Sequence, residues 1–518
     1  MTASATTQPG ALTDRRWRIA LVVVTLGALV RVALAAIIPV LPDEAYYWEW
    51  SRRLAPGYFD HPPVIALVIR AGTALLAAIG ASASGLAVRL GAVICGWIAA
   101  LATIGIARRL GGDAAALRAG IVIVCIPLAA AGLVLATPDA PLLAATAVTL
   151  YCVARALRHA PGSPATFRWW IAAGLALGIA FASKYTSIFV PIGVVIAMLT
   201  RRELHVRLRE PGPYVATIVA LLVLLPVIVW NSQHGWISIV HQVKHGLAAP
   251  RGSALAAAWR HEGDFIGGQA GLASPILFVM LAIATARSLG RRASTGAFVL
   301  GVVAVVTFAF FLYSATRQRV EPNWPSPAYI PAIALLASTR WSAAGERWFR
   351  GGVLLAGLMS LIVYAHALVP ILPIAPPRDP VARAFGWSEL ARAADSAARA
   401  ATVTSRTTTW LGGDRYQEAA ELAFHVESHP ITFAINLTGR ANQYDLWPRY
   451  PDRAHRGDNL LLVLDESDRP PGPIEQLAPF FASVQRGDRV MLRRGQSEIA
   501  ARRLWLLFGW SGRWPPAR

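Results

Sequence analysis

Asp43 and Glu44 stand side by side in Pro42-Asp43-Glu44-Ala45-Tyr46-Tyr47-Trp48-Glu49-Trp50, directly after a long apolar run. Carboxylates at the end of a membrane span are costly when partly buried. Neighbours in sequence do not face each other on a helix, so the two acids are expected to differ in role. Gly57-Tyr58-Phe59-Asp60-His61-Pro62-Pro63 follows closely, and Asp139 is the only charge in the turn Thr137-Pro138-Asp139-Ala140-Pro141. Cationic and polar groups come later: Lys184 in Ser183-Lys184-Tyr185, Asn231 and His234 in Trp230–Trp236, and Arg317 and Arg319 before Glu321. Two carboxylates facing a few cations suit group transfer from a lipid phosphate. One acid takes the proton of an incoming hydroxyl, and the cations meet the charge that grows on the departing phosphate. Asp43 is the expected general base or acceptor-orienting group, with Asp139 and Glu44 assisting. Lys184, Arg317, Arg319 and His61 are expected to hold donor phosphate or sugar.

Each cluster also has a plainer reading. The aromatic residues after the first run form an interfacial belt, Asp139 suits a proline turn, and Lys184 snorkels to the interface. Arg317 and Arg319 anchor a span, and the loop histidines are solvated; His241 and His245 have only an i, i+4 spacing to suggest a metal. Walker, Rossmann and serine-hydrolase motifs are absent from suitable contexts.

These residues must be positioned by apolar elements. The chain is 55% hydrophobic and 15% charged, against about 25% charged in soluble proteins, which argues against a cytosolic enzyme. Runs long enough to cross a bilayer fall near 18–38, 85–107, 117–136, 139–157, 169–183, 185–200, 213–230, 272–289, 294–313, 327–339 and 352–370. The expected architecture is a polytopic α-helical membrane protein of about eleven spans. Pro62–Ile79 is read as a helix along the membrane surface, and the basic start followed by residues 18–38 as a retained first span. Arg31, the main charge within a span, pairs with an acid near Asp43 or snorkels.

The formal net charge of +20 by itself suggests nucleic-acid binding. Sorted by loop, with the N-terminus in the cytoplasm, the inner loops carry +14 and the outer loops +2. The excess is therefore a positive-inside signal, and no nucleic-acid partner is expected. The clusters above all fall on the outer side. Cys95, Cys125 and Cys152 lie in apolar runs without CxxC spacing and imply no zinc or disulfide framework.

Prolines 370, 373, 376, 377 and 380 divide residues 1–370, the membrane domain, from residues 371–518. The latter carry ordinary soluble composition. Strands are read at Thr407–Leu411, Ile431–Ile435, Leu460–Leu464 and Val490–Leu492, and helices at Tyr416–His425 and Glu475–Phe481. A small α/β domain in the periplasm is expected.

With these motifs in hand, the chain resembles the integral-membrane GT-C glycosyltransferases, above all bacterial members related to protein O-mannosyltransferases and lipid A aminoarabinose transferases. The resemblance rests on Asp43–Tyr47, His61-Pro62-Pro63, Thr137–Pro141, Ser183–Tyr185, Trp230-Asn231 with His234, Asn323-Trp324-Pro325 through Tyr329, and Gln443-Tyr444-Asp445-Leu446-Trp447. It implies a GT-C fold and inverting transfer from a polyprenyl-phosphate-linked sugar to a lipid, glycan or protein acceptor at the bacterial inner membrane, among membrane lipids. Asp43 matches the family's catalytic carboxylate and Asp139 its second acid. Lys184 and Tyr329 match donor-phosphate positions, and Tyr58, Asn231 and His234 join them as candidate donor-binding residues. His61 stands where the aminoarabinose transferases have lysine, which separates this chain from that donor. Members sometimes use a divalent metal ion (Mg, Mn or Zn). The alternative from another class is a lipid or solute transporter.

Overall fold

The computed structural model describes residues 9–80, 84–246, 254–437, 439–466 and 472–515. The membrane part contains α1 (Pro9–Ile37), α2 (Pro42–Arg52), α3 (Val64–Ala77), α4 (Gly85–Cys125), α5 (Pro127–Gly132), α6 (Asp139–Ala156), α7 (Pro164–Ser183), α8 (Phe189–Thr200), α9 (Gly212–Gln233), α10 (Ile237–Gly246), α11 (Ala254–Ala273), α12 (Pro275–Ser288), α13 (Thr295–Ala315), α14 (Ser326–Ser338) and α15 (Ala343–Leu368). Five of these helices begin after a serine whose side chain accepts a backbone N–H of the first turn: Ser84, Ser163, Ser274, Ser294 and Ser342.

The expected apolar runs lie on helices, but they do not make eleven equivalent crossings. Among the described residues six helices are long and apolar enough to span a membrane alone, or seven if Trp259–Ala273 and Pro275–Ser288, bent by 99°, are one span. Length accounts for part of the difference, and the fold-back of α4 for another part, since that one helix carries two of the expected runs. α5 has six residues and α14 thirteen, about 9 and 20 Å at 1.5 Å per residue, short of a hydrocarbon core about 30 Å thick. Conversely, 41 residues of α4 would make a rod of about 60 Å. It folds back instead at Gly111–Gly112, where Gly112 takes φ 74° and ψ −169°, a conformation open to glycine. Gly120 consequently packs near Ile104.

Arg31 neither pairs with an acid near Asp43 nor leaves the bundle. Its Nε donates to the Ala129 carbonyl at 3.0 Å and an Nη to that of Ile123. Pro127 cannot give Ile123 its helical hydrogen bond, so the guanidinium supplies a donor at the break between α4 and α5.

The C-terminal part contains α16 (Trp387–Ser405), β1 (Thr409–Gly413), α17 (Tyr416–His425), β2 (Thr432–Ala434), α18 (Tyr450–Arg453), β3 (Asn459–Asp465), α19 (Gly472–Leu477), β4 (Phe481–Arg494) and β5 (Ser497–Trp510). The sheet order is β2-β1-β3-β5-β4, with β1 parallel to both neighbours and β5 antiparallel to β3 and β4. β3 reads as continuous apolar sequence because both its faces are covered. Leu461 and Val463 pack with Leu390 and Leu422 of the two helices, while Leu460 and Leu462 pack with Phe433 and Trp505.

Four elements differ from expectation. The short strand at 490–492 is the end of 14-residue β4, whose partner β5 and the helix α16 were not anticipated. The helix expected over 475–481 ends at Leu477, and Phe481 already belongs to β4. β4 alternates poorly in burial, so its pairing with β5, not a hydrophobic period, defines it.

This domain is fastened to the bundle. Arg494 binds Asp379 at 2.7 Å and the carbonyls of His366 and Ala367 at the end of α15. α17 lies on α2, where Ala419, Ala420 and Ala423 meet Ala45, Tyr46 and Trp48. That contact brings the C-terminal domain over Asp43.

Candidate active site

A cavity of about 610 Å³ opens between the bundle and the C-terminal domain, lined by Asp43, Asp60, His61, Lys184, Asn231 and Arg440 among others. Asp43, in the first turn of α2, is exposed to the cavity while protein rings it. The resulting loss of bulk water pushes its pKa up, against the Tyr416 hydroxyl and the Arg440 charge, which favour the anion. Tyr416 donates to Asp43 Oδ1 at 3.2 Å.

Asp60 is the second carboxylate of the cavity. It accepts from Tyr46 at 2.7 Å and Arg440 at 2.6 Å, and His241 stands 3.8 Å away. Burial outweighs Arg440 and raises its pKa to about 6. Beside it Gln242 donates to the Asp60 carbonyl and lies 3.5 Å from His61 Nδ1.

Lys184 is extended (φ −160°, ψ 135°) where α7 ends. Lys184 lines the main cavity, and its Nζ reaches Asp139 Oδ1 at 2.7 Å. Asp139 Oδ2 accepts from Asn323 at 2.7 Å. Asp139 itself lines a second, apolar cavity of about 220 Å³ together with Asn323 and Tyr329. The Lys184–Asp139 pair thus stands between the two spaces. Asn231 lines the main cavity, donating to the Tyr185 hydroxyl and the Val227 carbonyl. Its Oδ1 has no hydrogen-bond partner among the described residues.

Several expected site residues lie elsewhere. Glu44 is turned into the protein, where Arg89 grips both its oxygens and the amides of Leu41 and Ala136 donate to it. With all its acceptor directions used, it braces α2 against α4. Tyr58 is fully buried, stacked on Trp50 and bonded to main-chain groups of Trp50, Arg53 and Ala55. His234 stacks on Trp230 and contacts its carbonyl. Arg317 bonds Tyr313, and exposed Arg319 faces Glu321, both outside the cavity lining. Tyr329 is bonded to Gln269 in the second cavity, apart from Lys184's face of the main one.

Other cavity residues were not singled out from sequence. Tyr46 and Tyr47 stand inside the Asp43–Tyr47 motif and Asp60 inside Gly57–Pro63, where local sequence assigns them no role of their own. Tyr416 and Arg440 had none, because they meet Asp43 and Asp60 across 373 and 380 residues of chain.

The residues present do not fit a divalent metal. Among the described residues no group of three or more His, Cys, Asp or Glu side chains converges. Asp60 and Asp139 each already face a cation and a neutral donor.

Residues 60–230 match the dolichyl-phosphate-mannose-protein mannosyltransferase family. The chain is 27% identical over 385 residues to lipid A galacturonosyltransferase RgtD of Rhizobium johnstonii, covering 74% of this chain and 76% of that one. ArnT of Cupriavidus metallidurans in complex with undecaprenyl phosphate has the same fold, with a TM-score of 0.62 at 17% identity over 93% of this chain and 97% of that one. The Archaeoglobus fulgidus oligosaccharyltransferase aligns at a TM-score of 0.51 with 12% identity, covering 86% and 69%. The chain has the GT-C fold and, by these likenesses, is a membrane glycosyltransferase. It is an integral membrane enzyme rather than a lipid or solute transporter, and an alignment over 93% of the chain takes in most of its C-terminal sheet domain.

Proposed function

We propose that this glycosyltransferase moves a sugar from a polyprenyl-phosphate donor to a hydroxyl of a lipid A-type glycolipid on the periplasmic side of a bacterial inner membrane. The observation that carries the reading is Asp43, open to a large cavity at the mouth of the bundle, with Lys184 lining the same space. The galacturonosyltransferase named for lipid A supports the acceptor class, and ArnT with undecaprenyl phosphate supports the donor class. The charge bias of the loops supports the orientation.

In the transfer, the acceptor oxygen bonds to the anomeric carbon as its proton passes to Asp43. The bond from that carbon to the phosphate oxygen breaks on the opposite face, and polyprenyl phosphate leaves with the electron pair, inverting the centre. A carboxylate whose pKa is raised by its surroundings is the stronger base. The ammonium of Lys184 meets charge developing on the leaving phosphate. Asn231 and His61, on the same cavity, offer hydrogen bonds to donor or sugar.

The test is release of polyprenyl phosphate from a radiolabelled polyprenyl-phosphate sugar by the purified chain with lipid A as acceptor, with mass spectrometry of the product. Asp43→Asn is expected to abolish transfer while thermal unfolding stays like wild type. Transfer at the wild-type rate by that variant removes Asp43 from the role of base.

A further inference from the structure

The Asp43 carboxylate is fixed by a residue of the other domain. Tyr416 opens α17, and its hydroxyl donates to Oδ1 of Asp43 at 3.2 Å. Its ring lies 4.4 Å from that of Tyr46, centroid to centroid, and the Arg440 guanidinium stands 6.0 Å from the Tyr416 ring while binding Asp60. The domain contact behind it is indexed at several points. The Tyr46 hydroxyl accepts the Gln443 amide at 2.6 Å, and the Phe59 amide donates to Gln443 Oε1 at 2.7 Å. Trp48 packs edge-on against Phe424 of α17. Small residues Ala419, Ala420 and Ala423 let α17 sit close on α2. The Gln443-Tyr444-Asp445-Leu446-Trp447 motif, which has no place in the chemistry itself, therefore registers the domain over the cavity.

We propose that Tyr416 is a positioning residue for the transfer: its hydroxyl holds one oxygen of Asp43 so that the other is presented to the acceptor, making the C-terminal domain part of the active site. This rests on Asp43 being the base. A carboxylate on a short side chain rotates freely unless one oxygen is tied, and small displacements of a catalytic group cost rate steeply. The hydrogen bond also favours the ionised form, the form able to accept a proton. Among the described residues, the other charged or titratable groups around Asp43 include Glu44, Tyr46 and Tyr47 on α2, Asp60 and His61 after it, Lys184 and Tyr185 after α7, His241 on α10, and Arg383 and Arg440 from the C-terminal domain.

The experiment compares the full-length wild type with Tyr416→Phe, which keeps the ring and its packing. The expected result is a fall in kcat of about 10- to 100-fold with donor KM within about twofold, and an acidic limb of the kcat/KM profile displaced to higher pH, since a donor to the anion has been removed. Arg52→Gln, which removes a tie from α2 to the His429 carbonyl, controls for looser docking and is expected to leave that limb in place. Wild-type kcat and pH profile in Tyr416→Phe, with Asp43→Asn inactive, overturn the positioning role alone. The same displacement in Arg52→Gln also overturns it, assigning the effect to docking. Activity in Asp43→Asn removes the base assignment and this inference together.

Discussion

Lys184 Nζ lies 2.7 Å from Asp139 Oδ1, and only 9% and 11% of the two side chains is exposed. With Asn323 on the second oxygen, one carboxylate ties the start of α6, the break after α7 and the turn before α14. Lys184 lines the main cavity and Asp139 the second, so the pair fixes the ammonium where the two spaces meet.

Removing one partner of a buried pair strands the other, at a cost of about 3–5 kcal/mol. Asp139→Ala is expected to lower stability by that order, and Asp139→Ala with Lys184→Met to lose less than the sum of the single changes. Thermal unfolding of the four purified proteins in one detergent measures the coupling; additive losses would show that the pair does not act as a unit.

Glu44 and Arg89 should behave as structural residues. Arg89 also donates to the Ile38 and Pro39 carbonyls, so Arg89→Met leaves a buried carboxylate and open carbonyls together. Lower yield of folded protein is expected, by about 3–5 kcal/mol in stability, with donor KM of the folded fraction unchanged. A well-folded Glu44→Gln with kcat down by two orders of magnitude would return Glu44 to the chemistry.

Asp60 gives a pH signature in stability. Its folded pKa of about 6 exceeds the ordinary 3.8, so the folded protein binds this proton more tightly than the unfolded chain. The contribution is fully present below about pH 4 and is lost as pH rises through 6, about 3 kcal/mol in all. Asp60→Asn should unfold with a flatter pH dependence between 4 and 7, whatever its absolute stability. An unchanged slope would mean that Arg440 already compensates the charge.

Gly174 packs against α9, where a Cβ would collide with the carbonyl oxygen of Ala216. Close helix approach in membranes depends on such small residues. Gly174→Val is expected to reduce the unfolding temperature measurably and to spoil the α7 end that carries Lys184, so donor KM should rise as well. Unfolding and KM both like wild type would show that α7 and α9 can separate without consequence.

Composition and period carried much of the fold. Apolar runs read as helices because a span must satisfy its own backbone, and β3 read as a strand because both faces are buried. The boundaries of crossings were less legible, since a 41-residue helix folded back at Gly112 and a six-residue helix beside it look alike to a hydropathy window. β5 escaped because the arginines along its hairpin with β4 hide any apolar alternation, and α16 because an alanine-rich helix draws its burial from strands later in the chain.

For the site, local sequence singled out Asp43, Asp139, Lys184, His61 and Asn231, because charge and amide groups between apolar segments are costly and therefore few. It could not say which way a side chain faces. Glu44 differs from Asp43 by one position, about 100° around a helix, and that rotation sends one acid to the cavity and the other to Arg89. Nor could it pair Tyr416 with Asp43 or Arg440 with Asp60. The sequence by itself determined a membrane-embedded helical protein with its uncommon polar residues gathered between apolar segments. Only the tertiary structure decided which acids share a cavity, because that depends on helix rotation and on a second domain docking through contacts some 370 residues apart.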